Sequence, residues 1–370
     1  MKTESGSIII KRKTIIFLIV MGMCIISCSS PADRWKKGIV TEEFIYEEAS
    51  FPSCHAATIA ETPNGIIAAW FGGTHERHPD VGIWISRREN EQWTPPVEVA
   101  NGIVNDTTRY PTWNPVLYQV PDGNLLLFYK VGPSPSTWWG VRKHSEDGGM
   151  TWSDGEALPE GFIGPVKNKP VMLANGYLLC GSSTEDEGWR VHMEITDVGG
   201  SDWEKIGPLN DEKIYQVIQP TILVHRNGSL QILCRSKNSV IAESWSFDDG
   251  QTWKLFQDSE LPNNNSGIDG VSLKNGKHIL VYNHVKTPAG SDKGYRTPLN
   301  VAVSKNGRKW YAALVLEDSE TGQYSYPSVI ESADGMVHIV YTWRREKIRY
   351  VKIDPGKIKL KRIQAGKWPS

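Results

Sequence analysis

Arg235, Arg296 and Tyr326 are the residues of this 370-residue chain whose chemistry is most specific in combination. A guanidinium is a planar fork that binds a carboxylate through two parallel hydrogen bonds. Beside them stand candidates of complementary type: His55, Asn114, Gln219 and Asp269. The stretch Thr74-His75-Glu76-Arg77-His78-Pro79-Asp80 adds Glu76, Arg77 and Asp80, and Trp138-Trp139 adds aromatic surface. Two arginines, carboxylates, a tyrosine and aromatic walls together suit an acidic sugar, whose carboxylate meets the forks while its ring stacks on aromatic faces. These residues are dispersed along the chain, so no local element can gather them. A closed repeat architecture can.

The repeat is visible in Ser145-Glu146-Asp147-Gly148-Gly149-Met150-Thr151-Trp152, which returns as Ser246-Phe247-Asp248-Asp249-Gly250-Gln251-Thr252-Trp253. In a tight strand-to-strand turn the Asp side chain accepts backbone N–H groups two residues on. Gly takes the positive φ, and Thr and Trp restart a strand. Weaker copies are Ser86 to Trp93, with Asn90 in the Gly slot, Thr196 to Trp203 and Val303 to Trp310. A second signal runs in phase: apolar runs broken at Asn64-Gly65, Asp122-Gly123, Asn175-Gly176, Asn227-Gly228, Asn275-Gly276 and Asp334-Gly335. Such dipeptides are strong two-residue hairpin signals, and a period of about 50–60 residues means an array of small sheets. The expectation is an all-β, six-bladed propeller of four-stranded antiparallel blades at 52–100, 109–158, 164–207, 215–257, 266–316 and 324–353. The last unit lacks a strand, which Ile39 to Glu47 can supply, closing the ring without an exposed edge.

Strand direction alternates within a blade, so hairpins and boxes share one face. The longer 2→3 loops and 4→1 links share the other, where sites are built. The innermost strands begin there with Cys54-His55, Trp113-Asn114, Lys167-Asn168-Lys169, Gln219, Asp269 and Tyr326, six positions expected to ring the axis. The 2→3 loops add residues 74–80, 132–139, 182–189, 235–237, 283–298 and 342–346. The box tryptophans belong to the core; Trp139 and Trp138 lie on the functional face and can line a sugar subsite.

Lys11-Arg12-Lys13 followed by an apolar run to Ile26 has the form of a secretory signal. Ile25-Ile26-Ser27-Cys28 is similar to a bacterial lipobox. The expected layout is a signal over 1–27, a tether over 28–37 beginning at a lipidated Cys28, and the propeller over 38–370. That places the protein in the bacterial cell envelope, lipid-anchored at the outer membrane and periplasmic or surface-facing, touching membrane only through the lipid. A net charge of −1 with scattered Lys and Arg leaves no nucleic-acid footprint. Cys54, Cys180 and Cys234 read as buried thiols. His75, His78 and Asp80 lack the helical spacing of a metal motif, so neither metal nor cofactor is expected, and the chain is expected to be a monomer.

With its Asp-boxes and axial residues, the chain resembles the sialidase (neuraminidase) superfamily of BNR-repeat propellers over about residues 50–353. That resemblance implies carboxylate-binding arginines at Arg235 and Arg296, an acid/base at Asp80 with Glu76 as competitor, and a nucleophile at Tyr326 with Tyr324 as rival. It also implies two departures. The slot of the family's first arginine holds His55, and the glutamate partner of the tyrosine is Gln219. His55 is the nearest candidate base, with Glu76 and Asp269 next.

The leading expectation is an exo-glycosidase releasing a terminal sialic acid or related acidic sugar with retention. A neutral phenol avoids the charge repulsion that a carboxylate nucleophile would meet beside a carboxylated anomeric carbon. Two others stand beside it: a uronic-acid hydrolase or lyase using His55 and Tyr326, and a non-catalytic glycan-binding propeller. Each residue also has a plain reading: Tyr326 as a packed strand tyrosine, His55 as a hydrogen-bonded core histidine, Asp80 as a turn cap, and the arginines as solvated cations.

Overall fold

The computed structural model describes Met1, residues 34–291 and residues 293–370. The expected signal segment, Cys28 and the start of the tether lie outside the described residues, which contain no helix long and apolar enough to cross a membrane.

Six antiparallel sheets make a six-bladed propeller. Blade 1 comprises Ser53–Thr62, Gly65–Gly73 and Gly82–Glu89, with Gln92–Trp93 and Val97–Ala100 both pairing with the third strand. Blade 2 runs through Thr112–Gln119, Leu125–Val131, Trp139–Ser145 and Glu156–Ala157. Blade 3 has a first strand of two residues, Val171–Met172, then Leu178–Thr184, Arg190–Thr196 and Trp203–Ile206. Blade 4 is Val217–Val224, Leu230–Ser236, Val240–Ser246 and Gln257–Pro262. Blade 5 is Asp269–Ser272, His278–Tyr282, Leu299–Ser304 and Trp310–Glu317, widened by the C-terminal Lys361–Arg362. Blade 6 is Tyr324–Glu331, Val337–Trp343 and Lys347–Ile353. Its missing outer strand is Ile39–Phe44, paired antiparallel with Lys347–Ile353. The ring therefore closes as the sequence predicts.

The core lies between blades. Leu273, Val281 and Val301 of blade 5 pack with Val329, Ile339 and Val351 of blade 6, and Ile59 and Trp70 of blade 1 pack with Val340 and Tyr350. Each such side chain contributes about 1.5–3 kcal/mol when fully buried, and no blade can bury both its faces alone. Cys54, Cys180 and Cys234 are free and buried.

The box turns differ from expectation in one detail. Asp147 accepts from the backbone N–H groups three and four residues on, Met150 and Thr151, both at 2.9 Å, and from Thr151 Oγ1 at 2.6 Å. The hydroxyl and amide of Thr252 hold the equivalent Asp248 down to about 2. Asp249 takes φ 55° where the first box has Gly148. The Ser86–Trp93 copy is another kind of turn: Asn90 and Glu91 both have positive φ, joining Arg88–Trp93 and Glu89–Gln92 pairs as a two-residue hairpin. Asn64 Nδ2 donates to the Asp147 carbonyl at 2.8 Å, so the hairpin of blade 1 and the box of blade 2 share a face.

Several histidines are buried neutral on this scaffold. Burial brings His278, His284 and His338 down from 6.5 to about 4. The unfolded chain therefore binds protons that the folded one refuses as pH falls from 6.5 towards 4. Stability present above pH 6.5 should be lost across that window. The loss should reach several kcal/mol, since each tenfold drop in a histidine's proton affinity is worth about 1.4 kcal/mol. Thermal midpoints measured between pH 7.5 and 4 check this; a midpoint unchanged down to pH 5 would contradict it.

Candidate functional site

The innermost strands carry a shared irregularity. Pairing breaks between His55 and Thr58 in blade 1, across Asn114-Pro115 in blade 2, between Ile218 and Thr221 in blade 4, and between Ser325 and Ser328 in blade 6. At each break one residue is left-handed: Ala56 (φ 55°), Asn114 (34°), Gln219 (58°) and Tyr326 (53°). A bulge with an unpaired residue re-aims side chains out of the pleat. Proline follows in three of the four, where a missing N–H costs no ladder bond. Strained backbone of this kind persists only where its surroundings hold it, and it gathers at functional sites.

Tyr326 is the centre of what the bulges assemble. Arg235 Nη1 donates to its phenol oxygen at 2.7 Å, and Gln219 Nε2 does so at 3.3 Å. Arg235 Nη1 also donates to Gln219 Oε1 at 3.3 Å, and Arg235 Nε donates to Asn265 Oδ1 at 3.1 Å. Because a guanidinium only donates, it fixes the Gln219 amide with its oxygen towards Arg235 and its NH2 towards the phenol. The Arg235 guanidinium lies 5.0 Å over the Trp189 ring. Arg235, Gln219 and Tyr326 are all buried, so the solvated-cation reading of Arg235 does not hold.

His55 packs its ring against Tyr326, centroids 4.2 Å apart. Arg296 Nη1 donates to His55 Nε2 at 3.4 Å and to Ser325 Oγ at 3.0 Å. Since Nε2 faces a donor, the proton sits on Nδ1, which donates to Thr342 Oγ1 at 2.9 Å. Burial, then Arg345, Arg296, Lys167 and Arg235, hold His55 well below its ordinary value. Its free lone pair therefore points at Arg296 and not at the phenol. As the base for Tyr326, and as the source of an activity limb in the histidine range, His55 does not fit this geometry.

Arg296 is pulled down to about 10 by burial, with Tyr326 opposing and Arg345 and Arg235 adding to the fall. Arg345 is a cation that the sequence pattern does not single out. It sits in the turn between the second and third strands of blade 6, with φ 64°. The Arg345 carbonyl accepts from Cys54 N at 2.9 Å, which places it beside His55. Its side chain meets Glu76 Oε2 at 2.5 Å. Glu76 is thus engaged by a cation, while Arg77 is exposed at the same loop with φ 79°.

Asp80 lies half-exposed, receiving Thr74 N at 3.0 Å and Thr74 Oγ1 at 2.6 Å, and facing His78 Nδ1 at 2.7 Å. Burial raises this carboxyl, but the Thr74 bonds and His78 outweigh it and the net shift is downward. Glu185, in the blade 3 loop, goes the other way: burial raises it against the pull of Arg235 and Trp189.

One expected contact is corrected. Asp269 is fully buried, accepting Thr221 Oγ1 at 2.8 Å, Val329 N at 2.8 Å and Lys169 Nζ at 2.9 Å. It ties blades 3, 4, 5 and 6 together, its two oxygens taken up by these donors. Trp139 begins its strand half-buried, packed against the core between blades 1 and 2 and edge-on to Tyr110 at 5.7 Å. Asn114 occupies its bulge position on the axial ring, buried. Tyr324, the rival to Tyr326, is almost wholly buried in the core between blades 5 and 6.

A family model described as a BNR repeat-like domain matches residues 64–339. A sialidase of Micromonospora viridifaciens is 29% identical over 178 residues, which take in 43% of this chain and 26% of that protein. The chain thus spans about a quarter of that relative's length. Among solved structures, an intramolecular trans-sialidase from Ruminococcus gnavus, in complex with oseltamivir carboxylate, superposes with a TM-score of 0.69 at 14% identity, covering 88% of this chain and 99% of that one. An alpha-L-arabinanase of Penicillium chrysogenum, complexed with arabinobiose, gives 0.63 at 17% identity, covering 87% and 99%. At these identities the structural likenesses show a shared fold.

Proposed function

Because the chain belongs to the BNR repeat-like domain family, we propose that it is an exo-glycosidase removing a terminal sialic acid or related acidic sugar from glycans. The observation that carries this reading is the convergence of Arg235 and Gln219 on the Tyr326 phenol, beside the further cations Arg296 and Arg345. A cationic axial site attracts a carboxylate, and its guanidinium forks orient it. The relatives named above as sialidases support the same substrate class.

In this reading Arg296 and Arg345 hold the substrate carboxylate, with Glu76 giving up part of its hold on Arg345. Tyr326 Oη forms a bond to the anomeric carbon as the glycosidic bond breaks, and water later releases the sugar with retention. Both neighbours of Oη are donors, so Arg235 stabilises negative charge developing there. The phenolic proton leaves to water, because neither Gln219 nor His55 offers it an acceptor. The leaving oxygen takes its proton from Asp80 in its carboxylic-acid form, which is left as the carboxylate that Thr74 and His78 stabilise. With Cys28 lipidated, the site would work on glycans at the cell envelope.

The donor-only surroundings of the phenol also favour a second reading, a propeller that binds acidic glycans without turning them over. Incubation with mucin and plant-type acidic glycans, followed by mass analysis, separates the readings. A released acidic monosaccharide supports the glycosidase, an unsaturated product absorbing in the ultraviolet marks a lyase, and binding without product leaves the lectin-like reading.

The Asp80 assignment has its own check. Asp80→Asn should lower turnover of an unactivated sialyl glycan by about 100-fold. A methylumbelliferyl sialoside, whose leaving group needs little protonation, should lose far less. Equal losses on both substrates would move the acid elsewhere, with Glu185 next in line.

A further inference from the structure

Blade 3 gives no hydrogen bond to the Tyr326 phenol, yet its buried residues Lys167 and Asn168 reach both halves of the site. Lys167 Nζ donates to the Pro327 carbonyl at 2.5 Å, to the Ile268 carbonyl at 3.0 Å and to Asn168 Oδ1 at 2.8 Å. All three ammonium hydrogens are used. Asn168 Nδ2 donates to the Gln219 and Pro220 carbonyls, each at 3.1 Å. Thus one dipeptide grips the bulge of Tyr326-Pro327 in blade 6 and the bulge of Gln219-Pro220 in blade 4, and its own side chains are bonded together. The Lys167 ammonium also lies 5.8 Å over the Tyr326 ring.

These contacts are where support is needed. Both bulges fall at breaks in strand pairing, so their carbonyls lie outside the regular ladder. Both carry a non-glycine residue at positive φ, which surrounding contacts must hold. The separations at the phenol, 2.7 Å to Arg235 and 3.3 Å to Gln219, depend on the two bulges keeping their relative position across the axis.

We propose that Lys167-Asn168 is the positioning element of this site, a tie across the propeller axis that sets the Tyr326 phenol against Gln219 and Arg235. Its part is orientation, not chemistry: neither side chain has a hydrogen to spare for a ligand. Misplacement of a reacting group by about 1 Å costs on the order of 100-fold in rate. The kinetic side of the proposal rests on the glycosidase reading; the positional side does not.

The experiment uses two variants, Asn168→Ala and Lys167→Met, and two readouts. On a methylumbelliferyl sialoside, kcat should fall by about 10–100-fold, with KM within about twofold, because Arg296 and Arg345 are untouched. The second readout places 3-fluorotyrosine at position 326 and records its fluorine resonance, which should shift or broaden in both variants. If the more damaging variant fails to fold, the other decides. Lowered thermal stability with wild-type kcat in the folded fraction and an unmoved fluorine resonance would make the dipeptide purely structural and overturn the proposal. A wild-type protein inert towards the sialoside would remove the glycosidase reading, and the fluorine resonance would still decide whether Lys167-Asn168 positions Tyr326.

Discussion

Tyr326→Phe should reduce turnover of a sialyl substrate by about three orders of magnitude or more, the scale seen when a nucleophile is removed, while KM changes little. The substitution deletes one oxygen. Arg235 keeps Gln219 Oε1 and Asn265 Oδ1 as partners, so its charge is not stranded. The ring still packs on His55, 4.2 Å away between centroids. The fold should therefore survive, and the thermal midpoint should stay within a few degrees of wild type. Product trapping sharpens the test: a fluorinated sugar that slows release should label the wild type at Tyr326 and leave the variant unlabelled. Near-normal turnover by Tyr326→Phe would end the nucleophile assignment and shift attention to direct attack by water.

Asp269→Ala should show the opposite pattern, a loss of about 3–5 kcal/mol in stability, as when one partner of a buried ion pair is removed. The carboxylate is fully buried and receives Thr221, Val329 N, Gly270 N and Lys169. Without it Val329 N loses its acceptor, Gly270 N keeps only Thr221 Oγ1, and the Lys169 ammonium loses its counter-charge. These groups come from different blades, so the damage falls on the joint between them. Denaturant midpoints measure the loss, and Asp269→Asn, which keeps an acceptor, should fall between. A rise in KM with an unchanged midpoint would instead return Asp269 to the substrate site.

The axial ring was partly legible as a sequence pattern. Asn114-Pro115, Gln219-Pro220 and Tyr326-Pro327 each place a proline behind a long polar side chain inside an otherwise apolar first strand. Proline in a central strand marks a bulge, and that signal in the sequence marks three of the four left-handed positions. Arg345 gave no such signal, because Trp343-Arg344-Arg345-Glu346-Lys347 reads as an ordinary charged hairpin tip. It becomes a site residue only because blade closure sets blade 6 beside blade 1, where Glu76 meets it.

What the chain determined by itself was the local grammar: six Asn-Gly or Asp-Gly hairpins, the Asp-boxes, and the period-two apolar runs between them. Those signals act over a few residues, through turn geometry and side-chain alternation, so the blades, their order and the closing strand Ile39–Phe44 followed from them. Tertiary structure decided the chemistry of each axial residue. The sequence places both Asp269 and Asp80 on the functional face as candidate site carboxylates. Folding buries Asp269 among four blades and leaves Asp80 at a loop surface beside His78. His55 stood in the slot of an arginine and looked like a base. Packing among Arg296, Arg345 and Lys167 turns its lone pair away from the phenol and depresses its proton affinity. Charge, burial and hydrogen-bond direction are sums over neighbours from different blades, and those neighbours are set only when the ring closes.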